Sequence, residues 1–337
     1  MAKKYPTPKP STAITTAAVS GSAVVVVDLA AYADDARQYR KAAKAQRTRD
    51  TYAARWAAFE AWASDRGLCP LPCLPSILAM YLIDEAKRGI SPASMQVSIS
   101  SIASKHTEAG IARAKHPHRD PNVSEIFAGI KRKHGRAPRR VSPLMVAQLR
   151  KLAAVLPDTL IGKRDRALLS LGFFGALRRS EVVAINVADV KFTADGLELT
   201  IVKSKVDQNS QGVTLGLPMN RTAAVCPVTC LRDWLDSTGI TEGPVFRRVD
   251  RHKNIGPNAL RSREVARVVQ RTAAAAGLDP TVLAGHSLRS GLVSSAAQAG
   301  KLDRVLQEHG RWASPAMLKV YIRGAKLFGP HNAADGL

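Results

Sequence analysis

Six tyrosines occur in the chain, and five of them lie at or before Tyr81, which leaves Tyr321 alone in the remainder of the sequence. It closes the segment Ser314-Pro315-Ala-Met-Leu-Lys-Val-Tyr321, two turns into a helix capped by Ser314 with Pro315 in its first turn. Taken alone, Tyr321 reads as a core residue with its ring against Met317. Gly285-His286-Ser287-Leu288-Arg289 opens another helix, whose i, i+3 spacing sets His286 and Arg289 on one face. That pair is either a surface contact or a donor cluster for one phosphate, because a guanidinium grips phosphate oxygens with two parallel hydrogen bonds. Upstream, Gly175-Ala-Leu-Arg178-Arg179-Ser180-Glu181 puts Arg178 and Glu181 on a shared helical face, where Glu181 holds Arg178 from its far side. Lys203-Ser204-Lys205 runs from a strand into a polar turn; such lysines are ordinarily solvated, yet one of them can reach into a groove. His309-Gly310-Arg311-Trp312 sets Trp312 nine residues before Tyr321. The chemistry common to these types is phosphoryl transfer. A phenol with a pKa near 10 is a poor nucleophile at neutral pH, so it needs a proton acceptor and charge neutralisation.

The elements that must position these residues are mostly helices. Alanine supplies much of the apolar content and aromatics are only 5% of the 337 residues, which favours closely packed helices over sheet sandwiches. The expected fold is mainly α, a helical N-terminal domain followed by an α-rich domain with a small antiparallel β-sheet. In the first part, Tyr52, Trp56, Phe59 and Ala63 fall at helical spacing. Ser91-Pro92 caps a helix whose face continues through Met95, Ile99, Ile102 and His106, the last read as packed or half-exposed rather than as a ligand. The second part opens with Ser142-Pro143 as a helix start, and a helix ends at Phe173-Phe174-Gly175. Val190 to Thr193, Asp195-Gly196 and Leu197 to Ile201 read as a hairpin, with a further strand at Gly212 to Leu217. From Val225 onward the pattern is helical again. The boundaries so drawn are a basic tail at 1–33 without fixed structure, a helical domain at 34–134, a linker at 135–141, an α-rich domain at 142–330 and a short tail at 331–337.

Fifty Lys and Arg against twenty-seven Asp and Glu give a net charge of +23, which calls for a polyanionic partner. No apolar stretch approaches the ~18 residues of a membrane span, so the expectation is nucleic acid and no membrane. The Ala/Val-rich run ending near Ala33 imitates a secretion signal, but Pro6, Pro8, Pro10 and Asp28 interrupt it, and an intracellular protein is expected. Lys131, Arg132, Lys133, Arg136, Arg139 and Arg140 form a basic run that serves both as solvated linker and as phosphate-tracking strap. On a helix expected from Asn258 to Ala276, Arg263, Arg267 and Arg271 form a basic stripe, with Val265, Val268, Val269 and Thr272 around the other side. That stripe is a solvated face or a helix for the major groove, with Arg263 as the candidate for guanine contact. Arg247, Arg248, Arg251 and Lys253 in the preceding loop are candidate phosphate contacts. Cys69/Cys73 and Cys226/Cys230 are two C-x3-C pairs without the spacing of common zinc knuckles, and they read as reduced structural thiols rather than metal ligands.

The ordered set Arg178, Lys205, His286-x-x-Arg289, Trp312 and Tyr321 resembles the tyrosine recombinases, or phage integrase family. Gly-x-x-Arg-x-Ser-Glu and Gly-His-Ser-x-Arg are close to that family's two boxes. Within it the chain is similar to Cre-type simple recombinases, which carry tryptophan at the Trp312 position. The resemblance covers residues 34–330, with specific motifs only in the second half. It implies a helical core-binding domain at 34–134 and a catalytic domain at 142–330. Arg178 and Arg289 would clamp the non-bridging oxygens, His286 would donate to the phosphate or relay a proton, and Trp312 would donate from its indole. Lys205, with Lys203 as its rival, would protonate the departing 5′-oxygen, and Glu181 would orient Arg178. A 3′-phosphotyrosine on Tyr321 would conserve the phosphodiester's free energy, so strand exchange through a Holliday junction would need no cofactor, metal or ATP. The implied partners are a double-stranded DNA site with inverted repeats and a homotetramer on two such sites, in the cytoplasm of a prokaryotic, phage or plasmid setting. Competing readings are a type IB topoisomerase and a DNA-binding protein without catalysis.

Overall fold

The computed structural model describes residues 32, 34–36, 38–39, 43–135, 141–202, 212–219, 223–312 and 314–325. The chain divides into two compact units, Met1–Pro138 and Arg139–Leu337. The expected tail at 1–33 falls almost wholly outside the described residues, as do Lys203, Lys205, Arg136, Arg139, Arg140 and the segment beyond Ala325. Among the described residues no helix is long and apolar enough to cross a membrane.

The first unit is built from α1 (Gln46–Ser64), α2 (Pro75–Lys87), α3 (Pro92–Glu108) and α4 (Pro121–His134). Proline opens three of them, where its missing N–H is no loss, and side chains close two of those starts. The Ser91 hydroxyl accepts from the Ser94 N–H at 3.3 Å, and Asp120 accepts from the Asn122 N–H at 2.9 Å. The expected faces are the buried ones: Trp56, Phe59 and Ala63 from α1 pack with Met95, Ile99 and Ile102 from α3. The Tyr81 ring lies edge-on to Phe59 and Trp62, at 5.0 and 5.1 Å. His106 is fully buried and packed: its Nδ1 lies 2.8 Å from the Ile102 carbonyl and its Nε2 accepts from the Cys73 N–H at 3.0 Å.

The second unit follows as α5 (Val146–Ala154), α6 (Leu160–Phe174), α7 (Arg179–Ala184), β1 (Val190–Phe192), β2 (Gly196–Ile201), β3 (Val213–Pro218), α8 (Pro227–Thr238), β4 (Arg247–Val249), β5 (Ile255–Ala259), α9 (Ser262–Ala275), α10 (Gly285–Gln298), α11 (Asp303–Gly310) and α12 (Pro315–Ala325). Helix α6 is the spine of its core, with Leu168, Leu171 and Phe173 packed in one cluster with Leu231 and Trp234 of α8 and Leu288 of α10. The sheet β1-β2-β3 is antiparallel, with Leu199 opposite both Val190 and Leu215, so alternate leucines turn into the core. The hairpin and third strand thus match the expectation within a residue. Burial pushes the Cys73 thiol up to about 12 and the Cys230 thiol up to about 11, so both stay protonated near neutral pH.

Three expectations are corrected. Ser142-Pro143 starts no helix: the Ser142 N–H donates to the Val282 carbonyl at 2.8 Å and the Leu144 N–H to the Ser287 carbonyl at 3.0 Å, so this stretch straps onto the first turn of α10 and the segment before it. A Cβ at Gly291 would meet the Leu144 carbonyl at 1.9 Å, which is why that approach needs glycine. Second, the stretch after α8 is not continuously helical, because β4 and β5 form an antiparallel pair. Asp250 closes their turn, accepting from the His252 and Asn254 N–H groups at 2.8 and 2.9 Å, with Lys253 in the left-handed region. Asn258 therefore lies on β5, and α9 begins four residues later than expected, at Ser262. Third, Arg178 precedes α7 as its N-cap instead of sharing a helical face with Glu181. Glu181 still reaches it, by folding back from the third helical position.

Candidate active site

Two left-handed backbone turns meet beneath Tyr321. The first follows α6, where Ala176 has φ 45°; the second follows α11, where Arg311 has φ 55°. Neither residue is glycine, so each conformation costs on the order of 1 kcal/mol and must be held by its surroundings. Three side chains from α10 and the second turn occupy the carbonyls of the first. His309 Nε2 lies 2.7 Å from the Phe174 carbonyl, and Arg311 donates to the Gly175 and Ala176 carbonyls at 3.3 Å each. Arg289 donates to the Ala176 carbonyl and to the Gly310 carbonyl.

These contacts fix the arginines. Arg289 is only 2% exposed, and two of its N–H groups are anchored on carbonyls, which leaves the rest of its five donors for another acceptor. Burial, then the neighbouring Arg178 and Arg311, pulls its pKa down to about 9, so it remains cationic near neutral pH. Arg178 donates to Glu181 Oε1 at 2.5 Å from its guanidinium, while its backbone N–H donates to Oε2 at 2.9 Å. Burial would raise the Glu181 pKa, but the Arg178 N–H and the guanidiniums of Arg311 and Arg178 outweigh it and hold the carboxyl below its ordinary range.

Along the aromatic side of the site the Trp312 and Tyr321 rings lie tilted to one another at 50°. The Arg289 guanidinium lies 4.1 Å from the centroid of the Trp312 ring, and the Tyr321 ring lies 6.1 Å beyond. Trp312 is nearly buried and sits hard against Gly310, where a Cβ would overlap the indole at 1.4 Å. Helix α12 carries Tyr321 in, with the Ser314 hydroxyl accepting from the Ala316 N–H at 3.2 Å. The Tyr321 hydroxyl is 2.7 Å from His286 Nε2. His286 stands at the exposed end, yet the protein behind it removes solvent, and Arg289, Arg178 and Arg179 repel a further charge. Its pKa therefore lies below the ordinary 6.5, and the neutral ring can accept the tyrosine proton.

Of the residues singled out by sequence, Arg178, Glu181, His286, Arg289, Trp312 and Tyr321 come together in this one constellation. Lys205 and Lys203 lie outside the described residues. Arg311 went unnoticed, and its neighbour Trp312 was the only signal pointing at that turn. The basic residues expected on DNA divide differently. Arg263 is exposed on α9, Arg267 pairs with Glu264 at 2.9 Å, and Arg271 reaches down to the buried Asp165. Arg247 and Arg248 are on strand β4 rather than in a loop, and Arg247 uses its guanidinium on the Pro244 and Glu242 carbonyls. Lys131, Arg132 and Lys133 lie in the last turn of α4, with Lys131 over the Phe127 ring at 4.3 Å. Among the described residues no three His, Cys, Asp or Glu side chains gather as metal ligands.

Residues 143–327, more than half of the chain, match the phage integrase family. The integrase/recombinase xerD homolog of Selenomonas ruminantium is 33% identical over 297 residues, covering 87% of this chain and 86% of that protein. In fold, the chain is similar to the XerH site-specific recombinase bound to a palindromic difH substrate in a post-cleavage complex. The TM-score is 0.59 at 16% identity, over 82% of this chain and 76% of that one. It is also similar to a lambda integrase tetramer bound to a Holliday junction, with a TM-score of 0.56 at 17% identity over 88% and 77% of the respective chains. The chain belongs to the phage integrase family, the tyrosine recombinases.

Proposed function

We propose that this chain is a site-specific DNA recombinase in which Tyr321 attacks a phosphodiester and becomes joined to the 3′-phosphate. The observation that carries this is the Tyr321 hydroxyl hydrogen-bonded to a neutral His286 at 2.7 Å, beside the buried Arg289 and the half-buried Arg178. His286 accepts the phenolic proton as the oxygen attacks. Arg178 and Arg289 hold the non-bridging oxygens and stabilise the charge that builds on phosphorus. Trp312 packs Arg289 and Tyr321 into register, and Glu181 sets Arg178. Lys205 protonates the departing 5′-oxygen. The guanidinium groups supply the charge that a metal ion supplies elsewhere, and the phosphotyrosine retains the energy of the broken bond, so neither metal nor ATP is required.

Residues 34–134 act as a core-binding domain and 142–330 as the catalytic domain, with Lys131, Arg132, Lys133, Arg136, Arg139 and Arg140 tracking phosphates. Arg263 reads a base edge in the major groove. Two inverted-repeat sites bring four protomers together, and strands exchange in pairs through a Holliday junction, on DNA in a prokaryotic cytoplasm. The test is a nicked suicide duplex carrying a site selected from random DNA, incubated in EDTA. Wild type is expected to form a protein–DNA adduct and Tyr321→Phe none; an EDTA-sensitive reaction would overturn metal independence. Transfer of the held strand to a second duplex separates a recombinase from a type IB topoisomerase.

A further inference from the structure

Arg311 has no part in the set of residues described above as touching the phosphate, yet among the described residues it is the most connected cation of the site. Its guanidinium is 7% exposed and donates to Glu181 Oε2 at 2.9 Å, on the carboxylate that holds Arg178. The same group donates to the Ala176 carbonyl, which also accepts from Arg289. Its own backbone is left-handed, one residue before Trp312, whose ring covers Arg289. Its Nε–H is buried and has no hydrogen-bond partner among the described residues. A buried cation with an unmet donor and a left-handed backbone is costly to keep, and packing alone offers no return for it.

Charge explains what it does. Among the described residues, Arg178, Arg289 and Arg311 face a single buried carboxylate, Glu181, which leaves two positive charges in this cluster uncompensated. A phosphodiester carries one negative charge, and a pentacoordinate transition state carries about two, so such a cluster favours the transition state over the ground state. Without Arg311, Glu181 would cancel Arg178 and the surplus would fall by one.

We infer that Arg311 is a positioning residue that offsets Glu181, keeping Arg178 and Arg289 electrostatically available for the transition state while tying the Trp312 turn to the Arg178 turn. The inference rests on the proposed phosphodiester cleavage but can fail independently of it. Its measure is the first-order cleavage rate on the suicide duplex, alongside the DNA dissociation constant and the thermal midpoint. Arg311→Met is expected to slow cleavage by roughly tenfold or more, with the dissociation constant changed by less than about threefold. Adding Glu181→Gln removes the charge that Arg311 offset, so the double variant is expected to cleave faster than Arg311→Met alone. A packing role predicts the reverse, because each change would add its own damage. Cleavage by Arg311→Met within threefold of wild type, or a double variant slower than Arg311→Met, would overturn the inference. If Arg311→Met shows no cooperative melting, Arg311→Lys carries the test: with the charge kept and the fork lost, cleavage within about tenfold of wild type is expected. A loss as complete as that of Arg178→Ala would then count against it. Absence of any adduct with wild type would instead sink the proposed chemistry.

Discussion

His286 Nε2 and the Tyr321 hydroxyl lie 2.7 Å apart, at the exposed end of a row of side chains whose buried end is Arg289 against Trp312. A hydrogen bond there joins α10 and α12, which also pack together through Val293, Ala297, Leu318 and Ile322. It is also pH-dependent, because loss of solvent around His286, and then the charges of Arg289, Arg178 and Arg179, disfavour its protonated form.

Cleavage should follow that proton. With its folded pKa below 6.5, His286 stays neutral through neutrality and becomes protonated only at lower pH. The rate of adduct formation is expected to hold level near pH 7 and fall on the acid side of 6.5. In His286→Asn the rate should drop by about 100-fold and that acid limb should vanish. A variant that keeps the limb would assign it to another group.

The first unit carries its own acid sensitivity. His106 is held neutral between the Cys73 N–H and the Ile102 carbonyl, and burial, partly offset by the bond to Ile102, puts its pKa below 6.5, with His116 adding repulsion. A folded pKa below the unfolded one means that the unfolded chain takes the proton first. Stability is therefore complete above 6.5 and declines as pH falls from there toward the folded value. Urea unfolding at pH 7.5 and 5.5 should show this loss, and His106→Gln should reduce its pH dependence; an unchanged profile would contradict the assignment.

Gly310 should tolerate no side chain. Its Cβ would overlap Trp312, so Gly310→Ala must expel the indole from Arg289. Cleavage is expected to fall at least about tenfold with DNA binding retained, whereas Trp312→Ala should also cost about 3 kcal/mol in denaturant unfolding from the cavity it leaves.

The arginines of α9 should separate into two kinds. Arg263→Ala should weaken binding by about 1–3 kcal/mol and relax selectivity at one base pair, as measured by competition against single-base variants of the site. Asp165→Asn strikes beneath the helix, where Arg164 donates to Asp165 at 2.8 Å and both side chains are nearly buried. It should destabilise the second unit by about 3 kcal/mol, read by thermal unfolding.

Much of this site was legible in the sequence because local rules placed its parts. Ser314-Pro315 announces α12, the Gly285 to Arg289 segment opens α10, and their helical periods set His286, Arg289 and Tyr321 on the faces they use. The hairpin β1–β2 likewise follows from apolar alternation around Asp195-Gly196. What escaped depends on backbone closure between distant segments. β4 (Arg-Arg-Val) and β5 (Ile-Gly-Pro-Asn-Ala) are short and lack the alternation of apolar and polar residues that marks a strand, and only Asp250 and Asn254 mark their turn. Arg311 escaped because, beyond the His309 carbonyl two residues back, its partners are carbonyls 135 and 136 residues away and a carboxylate 130 residues away, which no spacing rule connects. Arg178 was assigned to the right partner through the wrong geometry, since a cap and a helical face share the same i, i+3 interval.

The most direct test of the nucleophile is mass spectrometry of the covalent complex after trypsin and nuclease digestion. Cleavage after Lys319 and Arg323 isolates Val320 to Arg323, a peptide with Tyr321 as its one nucleophilic side chain. The account predicts that this peptide carries the nucleotide remnant through a 3′-phosphate. A remnant on any other peptide, Tyr52 or Tyr81 included, would contradict it.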